Sequence, residues 1–272
     1  SGFGQTGPYA QRPAYDVLIQ AMGGLASITG EPNSPPVRVG SSIADLSAAL
    51  FGAVGILAAL QRASRTGEGQ QIDISMLDCQ VALLENALAR YAVSGEVPQP
   101  LGSRHPAITP FQFFAVSDGH IVLAAGNDGL WRKLCTALGL LDLIEDSRFA
   151  DNALRTENHA ALEPLLAEVL ADNTVAEWCE VLVQAGVPSG PLCDVGEVFN
   201  DEQIAAREMI VEIDHPIAGR QAMPNSPLKF SQTPIQLQRP APLLGQHTEE
   251  VLRDMLDLGT DEITGLRADG VI

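Results

Sequence analysis

Lysine is almost missing from this chain. Only Lys133 and Lys229 stand among 16 basic residues, against 34 acidic ones, and the formal net charge is −18. A surface this acidic excludes nucleic acid and anionic membrane surfaces as partners, because both repel it. Any anion site here must be built from arginine, serine, threonine or backbone N–H groups. Aromatic residues are scarce, at 5%, while hydrophobic residues reach 46%. Leucine, alanine, valine and isoleucine must therefore fill a core of real size. Paired cysteines are lacking too. Cys79, Cys135, Cys179 and Cys193 are widely spaced with no CxxC, so zinc is not expected and reduced, cytoplasmic thiols are. There is no P-loop, no GxGxxG following a strand and no serine nucleophile elbow.

What is present is organised around Ile43-Ala44-Asp45-Leu46-Ser47. A carboxylate stands at the mouth of a nearly all-apolar run expected to be helical from Leu46 to about Ala63. Asp45 reads first as an N-cap, accepting a backbone N–H and favoured by the helix dipole. Capping is compatible with a second role as a nucleophile. The run over residues 43–60 is long enough for a membrane span, but it carries Asp45, Ser47, Gly52 and Gly55, so a buried helix of an α/β protein is expected. Its small residues, Ala48, Gly52, Gly55 and Ala59, suit close packing that offsets the helix cost of glycine, about 1 kcal/mol each.

The chain opens on a glycine-rich loop, Ser1 to Pro8, with no methionine and no element before it. The expectation is that it is the exit of a strand and that an N-terminal portion precedes it. Residues 14–27 suit a short helix ending near Gly23-Gly24, on which Asp16 is a solvated or capping group. Gln70–Ser75 alternates like a strand, and Met76 to about Ala92 has helical periodicity. Helix, strand, helix suits a parallel α/β sheet. Residues 93–111 are proline-rich and read as a linker or functional loop. A hairpin is expected over 113–124, helices near 129–139, 158–171 and 174–185, an extended piece over 187–195 and a helix over 196–206. Strands over Ile210–Asp214 and Gln221–Met223 come next, then a proline-rich linker over 236–247. An amphipathic helical tail over 248–268 breaks at Leu258-Gly259. The domain reading is 1–94, carrying Asp45; 95–206, with the linker, a loop and a small domain; and 207–272, the return strands, linker and terminal helices. Gly102, Ser103, Arg104 and His105 form a loop where substrate contacts concentrate. His120, His159, His215 and His247 read as structural.

Taken together, SGFGQTGPYA (1–10), RPAYD (12–16), QAMGGLASITGEP (20–32), PPVRVG (35–40), the helix from Ile43, RTGEGQQIDISMLD (65–78), GSRHPAITPFQ (102–112), PLLGQHTEEVL (242–252) and the final LRADGVI resemble the family III coenzyme A transferases. That group includes formyl-CoA transferase and the carnitine CoA-transferases. The resemblance runs from end to end. It implies an α/β fold with a Rossmann-like large domain, incomplete here because a long N-terminal stretch is missing. A smaller α+β domain and an interlocked homodimer are implied with it. It makes Asp45 the covalent nucleophile and Arg12, Pro13, Ala14 and Tyr15 CoA-binding candidates. It places the mobile substrate loop at Gly102 to His105, where formyl-CoA transferase has a longer run of glycines, so a different acid is expected. The substrates are acyl-CoA and a small carboxylic acid, with Arg104 and His105 suited to a second carboxylate. No metal or permanently bound cofactor is implied. The related α-methylacyl-CoA racemases carry His-Asp where this chain has Tyr15-Asp16, and tyrosine is a poor proton shuttle near neutrality. That favours transfer over racemisation. A non-catalytic acyl-CoA-binding homologue is the remaining alternative.

Overall fold

The computed structural model describes residues 1–237 and 239–272. The chain forms two compact units, Ser1–Leu192 and Cys193–Ile272. The first unit begins with helices α1 (Asp16–Met22), α2 (Leu25–Ile28), α3 (Ile43–Thr66), α4 (Met76–Leu83) and α5 (Glu85–Ser94). The expected stop after α1 is there. Gly23 donates to the Ile19 carbonyl at 2.7 Å, and a Cβ at this position would lie 2.4 Å from Gln80 Cγ. Only glycine lets α4 come this close. Helix α3 starts three residues earlier than expected and ends at Gly67, whose left-handed φ of 74° and N–H bond to the Ala63 carbonyl close the C-terminus.

Expectations fail at three points in this region. Residues 70–75 form no strand. A strand needs a neighbour to satisfy its ladder groups, and this segment is held instead by the opening loop. Met76 and Leu77 donate to the Ser1 and Gly2 carbonyls, and Asp73 accepts the Gln5 N–H at 2.8 Å. No parallel sheet forms among the described residues; both sheets are antiparallel. The second failure is the burial of α3. Within this chain only Ala44 and Ser47 of α3 are buried, while Leu50, Val54 and Leu57 are about two-thirds exposed. By length and composition alone α3 is apolar enough to cross a membrane. The apolar pattern was legible; what α3 packs on depended on neighbours, and α1, α4 and the Ile72 side chain (3.4 Å from a Cβ at Gly55) cover only part of it. The helix expected over 76–92 is also divided, because Glu85 takes a left-handed φ of 47°.

The rest of this unit holds β1 (Phe111–Val116), β2 (Gly119–Ala124), α6 (Asp128–Leu138), α7 (Asp142–Glu145), α8 (Asn152–Glu157), α9 (His159–Leu170), α10 (Val175–Gln184) and β3 (Ser189–Pro191). The hairpin is present, with Phe113 opposite Val122, and β3 adds antiparallel to β2. Alternation turns Phe114, Ile121 and Leu123 inward onto Trp131, Leu134, Phe149, Leu162, Leu166 and Leu182. A fully buried guanidinium lies among them. Arg155 donates to the Thr109 and Phe149 carbonyls and pairs with Asp128 at 2.7 Å. It also lies 5.1 Å from the Trp131 ring centroid. Two carbonyls and a carboxylate satisfy a charge that would otherwise be too costly to bury.

The second unit has α11 (Val195–Asn200), α12 (Glu202–Ala206), the hairpin β4 (Ile210–His215) and β5 (Gly219–Pro224), then α13 (Thr248–Leu256) and α14 (Thr260–Ala268). The helix expected over 196–206 is split at Asp201, whose carboxylate caps α12 through the Ile204 N–H. The expected break in the tail falls at Asp257, which has a φ of 55°, and Arg267 pairs back to Glu249 across it at 2.8 Å.

Two substitutions test this packing by denaturant unfolding. Gln80 is fully buried and neither amide atom has a hydrogen-bond partner, so Gln80→Met is expected to stabilise the protein by about 1–2 kcal/mol. A loss of stability would contradict this account. Arg155→Met strands the Thr109 and Phe149 carbonyls and is expected to cost about 3 kcal/mol.

Candidate functional site

Asp45 does not cap α3 from outside; it lies in the first turn, with Ser42 in the cap position. The first N–H groups of α3 need acceptors from elsewhere. Ile43 N–H donates to the Ser41 carbonyl at 2.9 Å, and the regular helix bonds begin with Leu46 N–H to the Ser42 carbonyl at 3.0 Å. The Ala44 N–H donates at 2.9 Å to Oδ1 of Asp16, a residue 28 positions away. Asp16 is not solvated. It is buried on α1, and its Oδ2 accepts from Gln20 Nε2 at 2.7 Å. Gln20, fully buried one turn further along α1, also accepts the Val39 N–H at 2.8 Å and donates weakly to the Ser41 carbonyl at 3.4 Å. These two side chains capture the segment from Val39 to Ala44. Among the described residues the exposed Asp45 carboxylate has no hydrogen bond or ion pair. The i, i+4 spacing of Asp16 and Gln20 was readable in the sequence, but nothing there showed that this polar pair faces inward.

The segment before Asp16 is laid out differently. Tyr15 starts α1 in extended conformation and its carbonyl accepts the Leu18 and Ile19 N–H groups, but its side chain is 82% exposed. Arg12 is exposed, with its guanidinium 3.8 Å from the Tyr9 ring centroid. Pro13 is exposed beside it. Ala14 packs against Gly2, where a Cβ would approach to 2.4 Å. Arg12 and Tyr15 thus face solvent next to the buried carboxylate of Asp16.

The loop from Gly102 to His105 is tied down rather than loose. Gly102, with a left-handed φ of 64°, donates to the Gly30 carbonyl at 2.9 Å, and a Cβ there would lie 2.7 Å from Glu31 Oε2. Ser103 Oγ accepts the Phe113 N–H at 3.1 Å. Arg104 donates to the Thr156 carbonyl at 3.1 Å, while its buried Nε has no partner. His105 takes the Ala107 N–H on Nδ1, and its backbone N–H reaches the Phe111 carbonyl. Gly102, Ser103 and Arg104 line a cavity of about 320 Å³ together with Glu31, Gln112, His159 and Glu163. In it His159 Nε2–H donates to Gln112 Oε1 at 2.5 Å, and Gln112 Nε2 donates to Glu163 at 2.8 Å. This assigns the Nε2–H tautomer, since the amide nitrogen of Gln112 is already a donor to the carboxylate. His159 was expected to be structural, and its hydrogen bonding is; its place in the loop cavity had no sequence signal. No hydrogen bond or ion pair joins Asp45 to this loop among the described residues.

Burial, reinforced by the nearby Arg104 charge and opposed by Glu163, holds the His159 imidazole below its ordinary value of 6.5. Above pH 6.5 the ring is neutral in folded and unfolded chains alike. As pH falls through 6.5 the unfolded chain takes up the proton first, so stability is lost on acidification. Thermal midpoints measured between pH 8 and 5 are expected to fall below pH 6.5, and His159→Gln is expected to remove that part of the slope.

Against known proteins, the sequence profile of CoA-transferase family III matches residues 1–248. Acetyl-CoA:oxalate CoA-transferase of Acetobacter aceti is 42% identical over 248 residues, which are 90% of this chain and 62% of that protein. Succinate–glutarate CoA-transferase of Agrobacterium fabrum is 37% identical over 94% of this chain and 64% of its own length. A solved CAIB/BAIF family protein from Brucella suis superposes with a TM-score of 0.78 at 39% identity, covering 94% of this chain and 66% of that one. The chain thus spans under two thirds of the length of these two curated relatives. Its fold is mixed α/β with small sheets, and the chain belongs to CoA-transferase family III.

Proposed function

We propose that this protein transfers CoA between an acyl-CoA and a free carboxylic acid, with Asp45 as the covalent nucleophile. The observation that carries this reading is the state of Asp45. It is exposed in the first turn of α3, and among the described residues its carboxylate has no hydrogen-bond or ion-pair partner, while Asp16 takes the neighbouring Ala44 N–H. The family to which the chain belongs and the names of its relatives support the transferase reading.

The chemistry follows from a free carboxylate beside a thioester. An Asp45 oxygen attacks the acyl carbonyl, the C–S bond breaks, and CoA leaves as thiolate, giving a mixed anhydride. The thiolate then attacks the aspartyl carbonyl and expels the donor acid as its carboxylate, leaving an aspartyl-CoA thioester. An acceptor carboxylate attacks that thioester and displaces the thiolate, forming a second anhydride. The thiolate attacks the acceptor acyl carbon, and Asp45 is released unchanged. No electron or hydrolytic water is required, and backbone donors suffice for the oxyanions.

In the same reading Arg12, Pro13, Ala14 and Tyr15 contribute to CoA binding. Gly102, Ser103, Arg104 and His105 form the substrate loop, and the acid is a small dicarboxylate. Oxalate, succinate and glutarate are dicarboxylates named for two relatives, and Arg104 keeps an unpartnered Nε in the loop. A cytoplasmic homodimer built from a Rossmann-like large domain and a smaller domain, with no resident cofactor, completes the proposal.

The test is direct. With the protein at its natural length, acyl-CoA and hydroxylamine are expected to yield a hydroxamate mapped by mass spectrometry to Asp45. Asp45→Ala is expected to lose about 10³-fold or more in kcat. Modification elsewhere, or full activity of that variant, sinks the reading. A panel of acceptor acids should favour C2–C5 dicarboxylates over their monocarboxylate counterparts, and Arg104→Ala should erase that preference.

A further inference from the structure

The residues Ser42-Ile43-Ala44-Asp45 have the spacing of a capping box, in which an N-cap side chain and an acidic residue three positions on exchange bonds with each other's backbone N–H. The same spacing closes elsewhere in this chain. At α10 the Thr174 N–H reaches Glu177 at 2.9 Å and the Glu177 N–H returns to Thr174 Oγ1 at 3.3 Å. At α11 the Asp194 N–H reaches Glu197 at 2.7 Å and the Glu197 N–H returns to Asp194 at 2.8 Å. At α3 neither bond forms. Two things differ: Asp45 is one methylene shorter than Glu177 and Glu197, and the N-cap backbone torsion is changed. Thr174 and Asp194 have ψ of 164° and 174°, whereas Ser42, with a similar φ of −76°, has ψ of 66°.

Hydrogen bonds on either side of Ser42 hold its backbone. Val39 N–H and the Ser41 carbonyl before it are bound by Gln20, and Ala44 N–H after it is bound by Asp16. Both side chains are buried, so the grip is not shared with water. Closing the box has a chemical consequence visible at Glu177, whose bonds from the Thr174 backbone and hydroxyl hold its carboxyl below the ordinary 4.5. A boxed Asp45 would have to give up the hydrogen bond it accepts from the Ser42 N–H before attacking a carbonyl.

We propose that Asp16 and Gln20 are positioning residues that hold the α3 capping box open, so that the Asp45 carboxylate stays unbonded and available to the thioester. They act through the backbone of residues 39–44, not on substrate. The inference rests on Asp45 being the nucleophile.

The experiment removes the grip and then removes the bond that would replace it. Asp16→Ala is expected to lower kcat about ten- to a hundredfold with the acyl-CoA KM nearly unchanged. The rate of hydroxylamine-trapped Asp45 labelling should fall in parallel. Asp16→Asn keeps one acceptor for Ala44 and should fall between, which guards against simple misfolding. Gln20→Leu should act in the same direction. Ser42→Pro deletes the N–H that a closed box requires, at a φ proline adopts without strain. Combined with Asp16→Ala it should restore most of kcat. Wild-type kcat in Asp16→Ala overturns the proposal, and so does a loss that Ser42→Pro fails to recover. If wild-type enzyme gives no Asp45 adduct at all, the nucleophile reading has failed instead. Equal adduct formation in wild type and Asp16→Ala leaves that reading intact and removes only this one.

Discussion

A buried carboxylate accepting one backbone N–H joins the two helices that make the candidate site. Asp16 is shielded from water, so its charge must be met locally, and it is met by the positive end of α3 and by the Gln20 amide. Removing either partner would leave a desolvated charge short of a donor, which makes the arrangement strongly specified. The consequence reaches beyond two residues. Helix α3 buries little of itself within this chain, so the position of its N-terminus is set largely by this polar contact and by the strap from Val39 to Ala44.

The sheet-bearing part of the first unit is held on a different principle. Its core is continuous and apolar, and the one charge inside it, Arg155, is saturated by two carbonyls and Asp128. Arg155 binds the Thr109 carbonyl, Asn152 brackets the same segment through Thr109 N–H and the Ala107 carbonyl, and Ser103 is tied to β1. The loop from Gly102 to His105 therefore hangs from a rigid base. At its other side the Gly30 carbonyl receives the Gly102 N–H. The loop is thus anchored on both sides, and Arg104 within it bonds the Thr156 carbonyl while its buried Nε has no partner.

Local signals carried much of the fold. Hydrophobic alternation located the β1–β2 hairpin, helical periodicity located α6, α9 and α10, and the Gly23-Gly24 pair located the end of α1. The failures share a cause. Gln70 to Ser75 alternates correctly for a strand but finds no strand to pair with; α3 reads as buried but its neighbours cover one side. The break at Glu85 has no glycine or proline to announce it. Each of these outcomes depends on what lies next to the segment, and adjacency is absent from a local pattern.

The same division holds at the site. By itself the sequence determined which residues could do chemistry: one aspartate at the start of an apolar helix, an arginine–tyrosine segment before α1, and a Gly-Ser-Arg-His loop. It determined the family as well, because many spaced motifs occur together along the chain. Only the tertiary structure decided which aspartate is spent on structure and which is left free. Ser42-x-x-Asp45 has the local spacing of a capping box. The box is open, and Asp16 and Gln20, brought in from another helix, bind the backbone on either side of Ser42; a backbone shape set by such distant hydrogen bonds is decided only where both partners are present.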